Sequence, residues 1–315
     1  MQIQWYPGHM HKAQKEVKEI LPQVDIIIEV LDARIPYSSE NPMIARLRGD
    51  KPTIKIFNKS DLADDSVIKK WQVYFENSAT IQTLTLNAKD KNHKNQLFDL
   101  INQMIPRKKD SVKVIHALIM GIPNVGKSTL INTISERPIA KTGNEPAVTK
   151  MLQRIKLEDG ITLFDTPGML WANIENIHSG YRLAITGGIK ETAFELPDVA
   201  SYAAEYLMKY YPKRLEDRYK ISLEKITDLI KNDPSADVTL LEIIGKDRGC
   251  LVGGGRIDLD KASRILITEI RDGFLGGLTF EHPEMMESEQ VQVEELRAKK
   301  VAKKLAKEEK KKKRR

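Results

Sequence analysis

The 315-residue chain has one cysteine, Cys250, so it can close no internal disulfide, a usage that fits a reducing cytoplasm. It has no uninterrupted apolar run of the length a membrane-spanning helix needs. Its start, Met1 to Gly8, lacks a basic stretch followed by an apolar one, so no secretory leader is expected. The histidines at 9, 11, 93, 116, 178 and 282 show no metal-ligand spacing, and a lone thiol makes no cluster. These absences point to a cytoplasmic protein without membrane attachment, and nothing predicts an oligomer. What remains is ordinary globular material. Hydrophobic residues make up 41%, and the length allows two domains with a large core.

Charge is unevenly placed. From Lys299 to Arg315 there are eleven Lys or Arg against two Glu, a net of +9 in a chain whose total is +7. The body is near neutral and the tail strongly basic. Such a block is either a solubilising arm or a contact for a polyanion such as nucleic acid.

Short apolar runs read as buried parallel strands at Val24 to Leu31, Thr53 to Phe57, Thr83 to Leu86, Val114 to Met120 and Ile161 to Phe164. Helical spacing lies between them, at Val67 to Phe75 and Leu97 to Ile105. The alternation predicts an α/β domain, a mostly parallel sheet with helices on both faces. Gln153 to Leu157 and Ile161 to Phe164, joined by Glu158-Asp159-Gly160, read as an antiparallel hairpin. From Pro197 the pattern turns helical, with Val199, Tyr202, Ala203, Tyr206, Leu207 and Tyr210 on one face. Asp258 suits the N-cap of a helix carrying Leu259, Ala262, Leu266 and Ile270. The expected division is an α/β domain over 1–175, a smaller all-helical domain over 176–283 and a charged, extended or loosely helical tail over 284–315.

Gly121 to Ser128 fits the phosphate-binding P-loop and follows an apolar strand. Backbone N–H groups from Asn124, Val125 and Gly126 through Lys127, Ser128 and Thr129 would face the phosphates, because a helix N-terminus attracts anions. Lys127 would neutralise β- and γ-phosphate oxygens, and the Ser128 hydroxyl would ligate Mg²⁺. Asp165-Thr166-Pro167-Gly168 lies 44 residues after Gly121 at a strand end, in register for a γ-phosphate-sensing DxxG loop. Asp165 would hold Mg²⁺ through water, and Gly168 would donate its N–H to the γ-phosphate. Thr149, 21 residues after Ser128 in a polar loop, is the candidate to complete the metal shell.

Asn58-Lys59-Ser60-Asp61 follows the Thr53 to Phe57 strand and reads as the guanine-selecting loop. The Asp61 carboxylate can accept from guanine N1–H and its 2-amino group. Facing adenine, a buried carboxylate would be left unpaired. Asn58 would fix the loop and approach the base edge, and the Lys59 stem would cover the ring. Asn87-Ala88-Lys89 matches the loop whose alanine N–H meets guanine O6. The bound molecule is therefore GTP. The base reader precedes the phosphate loop by 63 positions, the reverse of the usual order, so the G domain is circularly permuted.

With Asp32-Ala33-Arg34-Ile35-Pro36 after the first strand and Trp5-Tyr6-Pro7-Gly8-His9-Met10 at the start, the chain resembles the ribosome biogenesis GTPase A (YlqF) family of circularly permuted GTPases. Ala147 departs from the glycine often seen before the switch Val-Thr. The resemblance implies a cytoplasmic GTPase that binds ribosomal RNA and precursors of the large ribosomal subunit in its GTP state and leaves after hydrolysis.

Many GTPases carry a water-orienting Gln after the DxxG glycine; here Met169 stands there, which predicts slow intrinsic turnover with the missing groups supplied elsewhere. From the residues alone His9 reads as a turn residue in the N-terminal segment; by resemblance it is the candidate for positioning water. Asn124 either stabilises its loop or helps hold a K⁺ beside the phosphates. In the helical domain Lys246, Arg248, Arg256, Lys261, Arg264 and Arg271, near Gly253 to Gly255, are either RNA phosphate contacts or a solvated face. The competing function is an RNA-binding scaffold that keeps GTP as a structural ligand.

Overall fold

The apolar runs pair side by side, and the polar loops between them collect at one edge. The structure, a computed structural model, describes residues 3–90, 92–107, 114–140, 143 and 152–312; the side chains of His9 and of 304–312 lie outside that description. The strands are β1 (Ile26–Asp32), β2 (Thr53–Asn58), β3 (Ile81–Thr85), β4 (Ile115–Gly121), β5 (Gln153–Lys156) and β6 (Ile161–Asp165). Among the described residues they form one sheet in the order β3-β2-β1-β4-β6-β5. All neighbours run parallel except β5, which is antiparallel to β6. The β5–β6 turn places Asp159 and Gly160 at φ 54° and 64°, the left-handed pair that matches strand twist. Strand β3 starts two residues before the expected run, at Ile81, because polar Gln82 on this edge strand separates Ile81 from the rest of the run.

The helices of this half are α1 (His9–Ile20), α2 (Pro36–Ser39), α3 (Pro42–Arg48), α4 (Asp65–Glu76), α5 (His93–Met104) and α6 (Lys127–Ser135). Alternation along β1 divides the core. Ile26, Ile28 and Val30 join Ile54 and Ile56 against α5 and α6, where Leu97, Ile101, Leu130 and Ile134 are buried. On the other face Ile27 packs with Val17 of α1 and Ile44 of α3, while Leu31 and Phe57 meet Ile68, Trp71 and Phe75 of α4. Between those two clusters lies buried charge. The Lys55 ammonium sits 2.6 Å from Glu29 and 2.7 Å from Glu40, and 4.6 Å from the centre of the Phe75 ring. A charge taken out of water needs a counter-charge; the single Lys55 ammonium serves both carboxylates, of which Glu40 is partly exposed.

The second half contains α7 (Ile177–Thr186), α8 (Leu196–Tyr210), α9 (Pro212–Tyr219), α10 (Leu223–Asn232), α11 (Ala236–Asp247), α12 (Leu259–Asp272) and α13 (Pro283–Lys312). Helix α8 is central, with α7, α9, α11 and α12 packed on it. Val199, Ala203, Tyr206 and Leu207 are buried as their spacing implies. Tyr210, expected on that face, is 37% exposed at the helix end, leaning on the rings of Tyr206 and His282. Asp258 caps α12 by accepting from the Lys261 N–H at 3.0 Å. The apolar cluster beneath α5 and α6 continues without a break into Leu183, Leu207, Leu266 and Phe280, so both halves share one core.

After α12 the chain returns to the base-reading side. The Leu278 N–H donates to the Leu62 carbonyl (3.0 Å) and the Phe280 N–H to the Arg34 carbonyl (2.8 Å). The Asp64 N–H donates to the Thr279 hydroxyl (3.1 Å), and the Trp71 indole to the Glu281 carbonyl (3.0 Å). The segment expected as an extended or loosely helical tail is a 30-residue helix, α13, whose first turns are built into the body through buried Met286 and Glu289.

Candidate nucleotide-binding site

Every motif read from the sequence, where described, leaves the sheet at the carboxyl ends of its strands, the edge at which open α/β sheets bind ligands. Asp32 ends β1, Asn58 ends β2, Asn87 and Ala88 follow β3, Gly121 ends β4 and Asp165 ends β6. Register puts Asp32 beside Asn58, and Ile119 beside Asp165.

The phosphate loop is a tight left-handed turn, with φ of 62° at Asn124 and 88° at Gly126. Gly126 is the N-cap of α6, and no side chain caps that helix end, which leaves its first N–H groups aimed at an anion. A Cβ on Gly126 would stand 2.2 Å from the Asn58 amide nitrogen, so no other residue fits. Ser128 and Thr129 lie half-buried on the first turn of α6.

Asn58 ties three loops together. Its Nδ2 donates to the Val125 carbonyl at 2.6 Å, and its Oδ1 accepts from the Ala88 N–H at 2.8 Å. The Thr133 hydroxyl of α6 donates to the Ala88 carbonyl at 2.6 Å, closing the circuit. The loop-fixing part of the Asn58 expectation is thus visible. The Ala88 N–H, expected at guanine O6, is engaged by Asn58 instead.

Lys59 takes a left-handed φ of 60°, which turns its side chain toward Asp32. Its ammonium lies 2.9 Å from Asp32 Oδ2. Arg34 grips the same carboxylate in bidentate fashion, Nε to Oδ1 at 2.9 Å and Nη2 to Oδ2 at 2.8 Å. Burial alone would push the Asp32 carboxyl up, but Arg34 and then Lys59 outweigh it and hold Asp32 well below the usual carboxylate range. The sequence reading quoted Asp32 and Arg34 without a role; an acid at a strand end followed two residues later by Arg was the available signal. Asp61, by contrast, is exposed on the turn after Lys59 and makes no hydrogen bond or ion pair among the described residues. The expected buried carboxylate is therefore a rim carboxylate, whose burial has to come from the base that covers it.

Opposite the base loop, Lys127 donates to Asp165 Oδ1 in a close buried contact. Burial pushes both groups toward their neutral forms, raising Asp165 and lowering Lys127, and their mutual attraction opposes this. The second Asp165 oxygen, Oδ2, is buried with no hydrogen-bond partner. Buried acceptors are rarely left so, and a hydrated Mg²⁺ shared with the Ser128 hydroxyl fits this orphaned oxygen. Thr149, the third expected metal ligand, lies outside the described residues.

The DxxG loop rests on the phosphate loop. A Cβ on Gly168 would lie 3.0 Å from Pro123 Cα, and the Met169 N–H donates to the Gly121 carbonyl at 3.1 Å. Met169 is buried at 1% exposure with Val17 and Phe164, so its thioether faces the core. The Leu170 N–H meets the Met10 sulfur at 3.4 Å, and Gln4 makes two hydrogen bonds to the Ile174 backbone. The start of α1, where His9 stands, therefore lies against the chain leaving the γ-phosphate sensor.

Asn124 reaches away from the base side. Its Nδ2 donates to the Gly187 carbonyl at the end of α7 at 2.8 Å. Arg271, a candidate RNA contact, caps the same helix end through the carbonyls of Ile185 and Ala184, both at 2.8 Å, and pairs with Glu191. Arg264 also meets Glu191, Arg248 meets Glu269, and Lys261 meets Asp258. Lys246 and Arg256 are exposed without an ion pair among the described residues, flanking the open turn at Gly253 to Gly255.

Comparison with known proteins agrees with this geometry. A family profile described as 50S ribosome-binding GTPase matches residues 116–212. A Bacillus cereus protein named Ribosome biogenesis GTPase A is 42% identical over 303 residues, covering 94% of this chain and 99% of its own. Its Bacillus licheniformis namesake is 45% identical, covering 91% and 100%, and that of Thermotoga maritima 30%, covering 90% and 95%. GDP-bound TM YlqF superposes with a TM-score of 0.57 at 25% identity, covering 85% of this chain and 99% of that one. GNP-bound YlqF from T. maritima gives 0.56, covering 87% and 99%.

Proposed function

This chain belongs to the ribosome biogenesis GTPase A family, a GTP-hydrolysing enzyme of ribosome assembly, and we propose that it acts on precursors of the large ribosomal subunit. In this reading residues 1–175 bind and hydrolyse GTP, and residues 176–283 contact ribosomal RNA in the GTP state and let go after hydrolysis. The observation that carries it is the joining of the base loop, the second base loop and the phosphate loop through Asn58, beside the Lys127–Asp165 pair.

Lys127 leaves Asp165 to meet the β- and γ-phosphates, and the N–H groups at the start of α6 cradle them. Asp61 reads the guanine edge while Lys59, held by Asp32, lies over the ring. Mg²⁺ held by Ser128 and Asp165, with Thr149 as the proposed third ligand, supplies positive charge to the phosphates. With Met169 turned into the core, no side chain follows Gly168 to orient water. His9, at the start of α1 beside the sensor segment, is the proposed positioning group. Asn124, in the phosphate loop, is the proposed ligand of a K⁺ that adds charge there.

The test is GTP turnover with and without large-subunit precursor particles, in K⁺ and in Na⁺. Particle stimulation and faster turnover in K⁺ are expected. An unstimulated rate would remove the particle from the mechanism, equal rates in both salts would remove the cation, and unchanged single-turnover chemistry in His9→Ala would remove His9. The scaffold alternative gives way because the family hydrolyses its nucleotide.

A further inference from the structure

Helix α13 is two things in sequence. Its first half is anchored. Glu289 takes both Arg182 nitrogens, at 2.9 and 2.5 Å, in a buried pair, and also the Asn176 amide at 2.7 Å. Arg297 pairs with Glu175, seven positions beyond Gly168. From Ala298 to Lys303 every residue is exposed, yet the helix continues to Lys312, about 22 Å beyond Arg297 at 1.5 Å per residue.

A helix without packing is marginal in water, and like charges four apart weaken it further. Lys299 and Lys303, Lys300 and Lys304, and Lys303 and Lys307 are such pairs; among the described side chains the attraction in this stretch is Lys299 with Glu295 at 3.9 Å. At 3.6 residues per turn, Lys299, Lys300, Lys303, Lys304, Lys307, Lys310 and Lys311 fall within an arc of about 140°. Ala298, Val301, Ala302, Leu305, Ala306, both glutamates, Glu308 and Glu309, and the terminal Lys312 fall on the remainder. Seven of the eight lysines between Lys299 and Lys312 thus share one side of a rod that is fixed at its root.

We propose that residues 298–312 form a lysine-faced arm that binds the phosphate backbone of RNA. The inference rests on the reading of this chain as a factor acting on ribosomal precursors. A row of point charges on one helix face suits a line of phosphates and carries no base specificity. A membrane surface is the poorer match, because the opposite face offers alanines with one valine and one leucine and no aromatic anchor. Arg248, Lys261, Arg264 and Arg271 of the helical domain are committed to Glu269, Asp258 and Glu191, and the arm adds its charge to that of Lys246 and Arg256, which have no ion pair among the described residues.

The test compares the full chain with a chain ending at Arg297 and with Lys299→Gln/Lys303→Gln/Lys307→Gln. A second triple variant, Val301→Gln/Ala302→Gln/Leu305→Gln, controls for helix structure. The probes are large-subunit precursor particles and a plain duplex RNA, each titrated over a range of salt. Truncation and the lysine triple should weaken binding to both probes by at least about tenfold at low salt. The lysine triple should lower the slope of log K against log salt by roughly 2 to 3, as expected when about three phosphate contacts are lost, and truncation, which removes more cations, by at least as much. Turnover without particles should not change, and the opposite-face variant should bind as the full chain does. Unchanged affinity and slope on both probes overturns the arm while leaving particle-stimulated turnover, and so the parent reading, intact. Equal loss in the opposite-face variant, or arm-dependent binding to phosphatidylserine vesicles but not to RNA, also overturns it. Absent particle stimulation with an arm-dependent slope on duplex RNA overturns the parent reading alone.

Discussion

The Asn58 amide donates to the Val125 carbonyl at 2.6 Å, joining two loops 67 residues apart in the chain. Its other end holds Ala88, so one side chain sets the spacing between the base-reading and phosphate-reading parts of the pocket. Asn58→Ala would leave a buried carbonyl and a buried N–H unpartnered, each worth about 1–3 kcal/mol. Isothermal titration of a GTP analogue should show affinity lower by about tenfold or more, with the sheet intact by circular dichroism. Full affinity would show that the loops hold their spacing without this residue.

Asp32 is the counter-charge for a buried cation, Arg34, and a half-buried one, Lys59. Asp32→Asn leaves Arg34 and Lys59 without it and should cost about 3–5 kcal/mol in urea unfolding. The pH dependence follows from the sign of its shift. A carboxyl held below its unfolded value contributes stability above about pH 4 and loses it as acid lowers the pH through the folded value. The native chain should therefore weaken steeply on acidification below pH 4, and Asp32→Asn should show a flatter limb there. Parallel acid limbs would mean that Asp32 is not ionised in the fold.

Glu281 behaves in the opposite way. Burial pushes its carboxyl up to about 7, only partly offset by Arg182 and by donors from Ser38. The folded state then binds the proton more tightly than the unfolded one, so stability falls as pH rises from about 4.5 to about 7. The loss is on the order of 3 kcal/mol. Glu281→Gln keeps an acceptor for the Ser38 N–H and removes the titration. Thermal melts from pH 5 to pH 8 should converge at the acid end and separate at the alkaline end, with the variant more stable.

Met169→Gln tests where the side chain after the sensor glycine points. Were that position at the γ-phosphate, an amide would speed hydrolysis. Because it is packed against Val17 and Phe164, the substitution should lower stability by about 2 kcal/mol and leave turnover no faster. A faster variant would place this side chain at the nucleotide.

The sheet was legible because buried parallel strands are short apolar runs and their loops carry fixed motifs. Asn58, Lys127 and Asp165 announced themselves by spacing. What escaped was pairing across distance. Glu29 and Lys55 interrupt apolar strands, yet nothing local says that they neutralise each other beside Phe75. Asp32 gave a motif but not its partner Lys59, since only strand register brings β1 and β2 ends together. Arg271 read as one more exposed cation, whereas it closes the end of α7. The return of Leu278 to Glu281 along the base loop is made largely by backbone groups, which every residue possesses and no composition reveals.

That return fixes how the second half can move. The chain departs near Ile174, on the phosphate side, and is stitched back at Leu62, Arg34 and Trp71, on the purine side. A body secured at two separated seams over a shared core cannot swing like a pendant on a thread. Any shift of this body relative to the sheet has to strain both seams at once rather than bend a single linker.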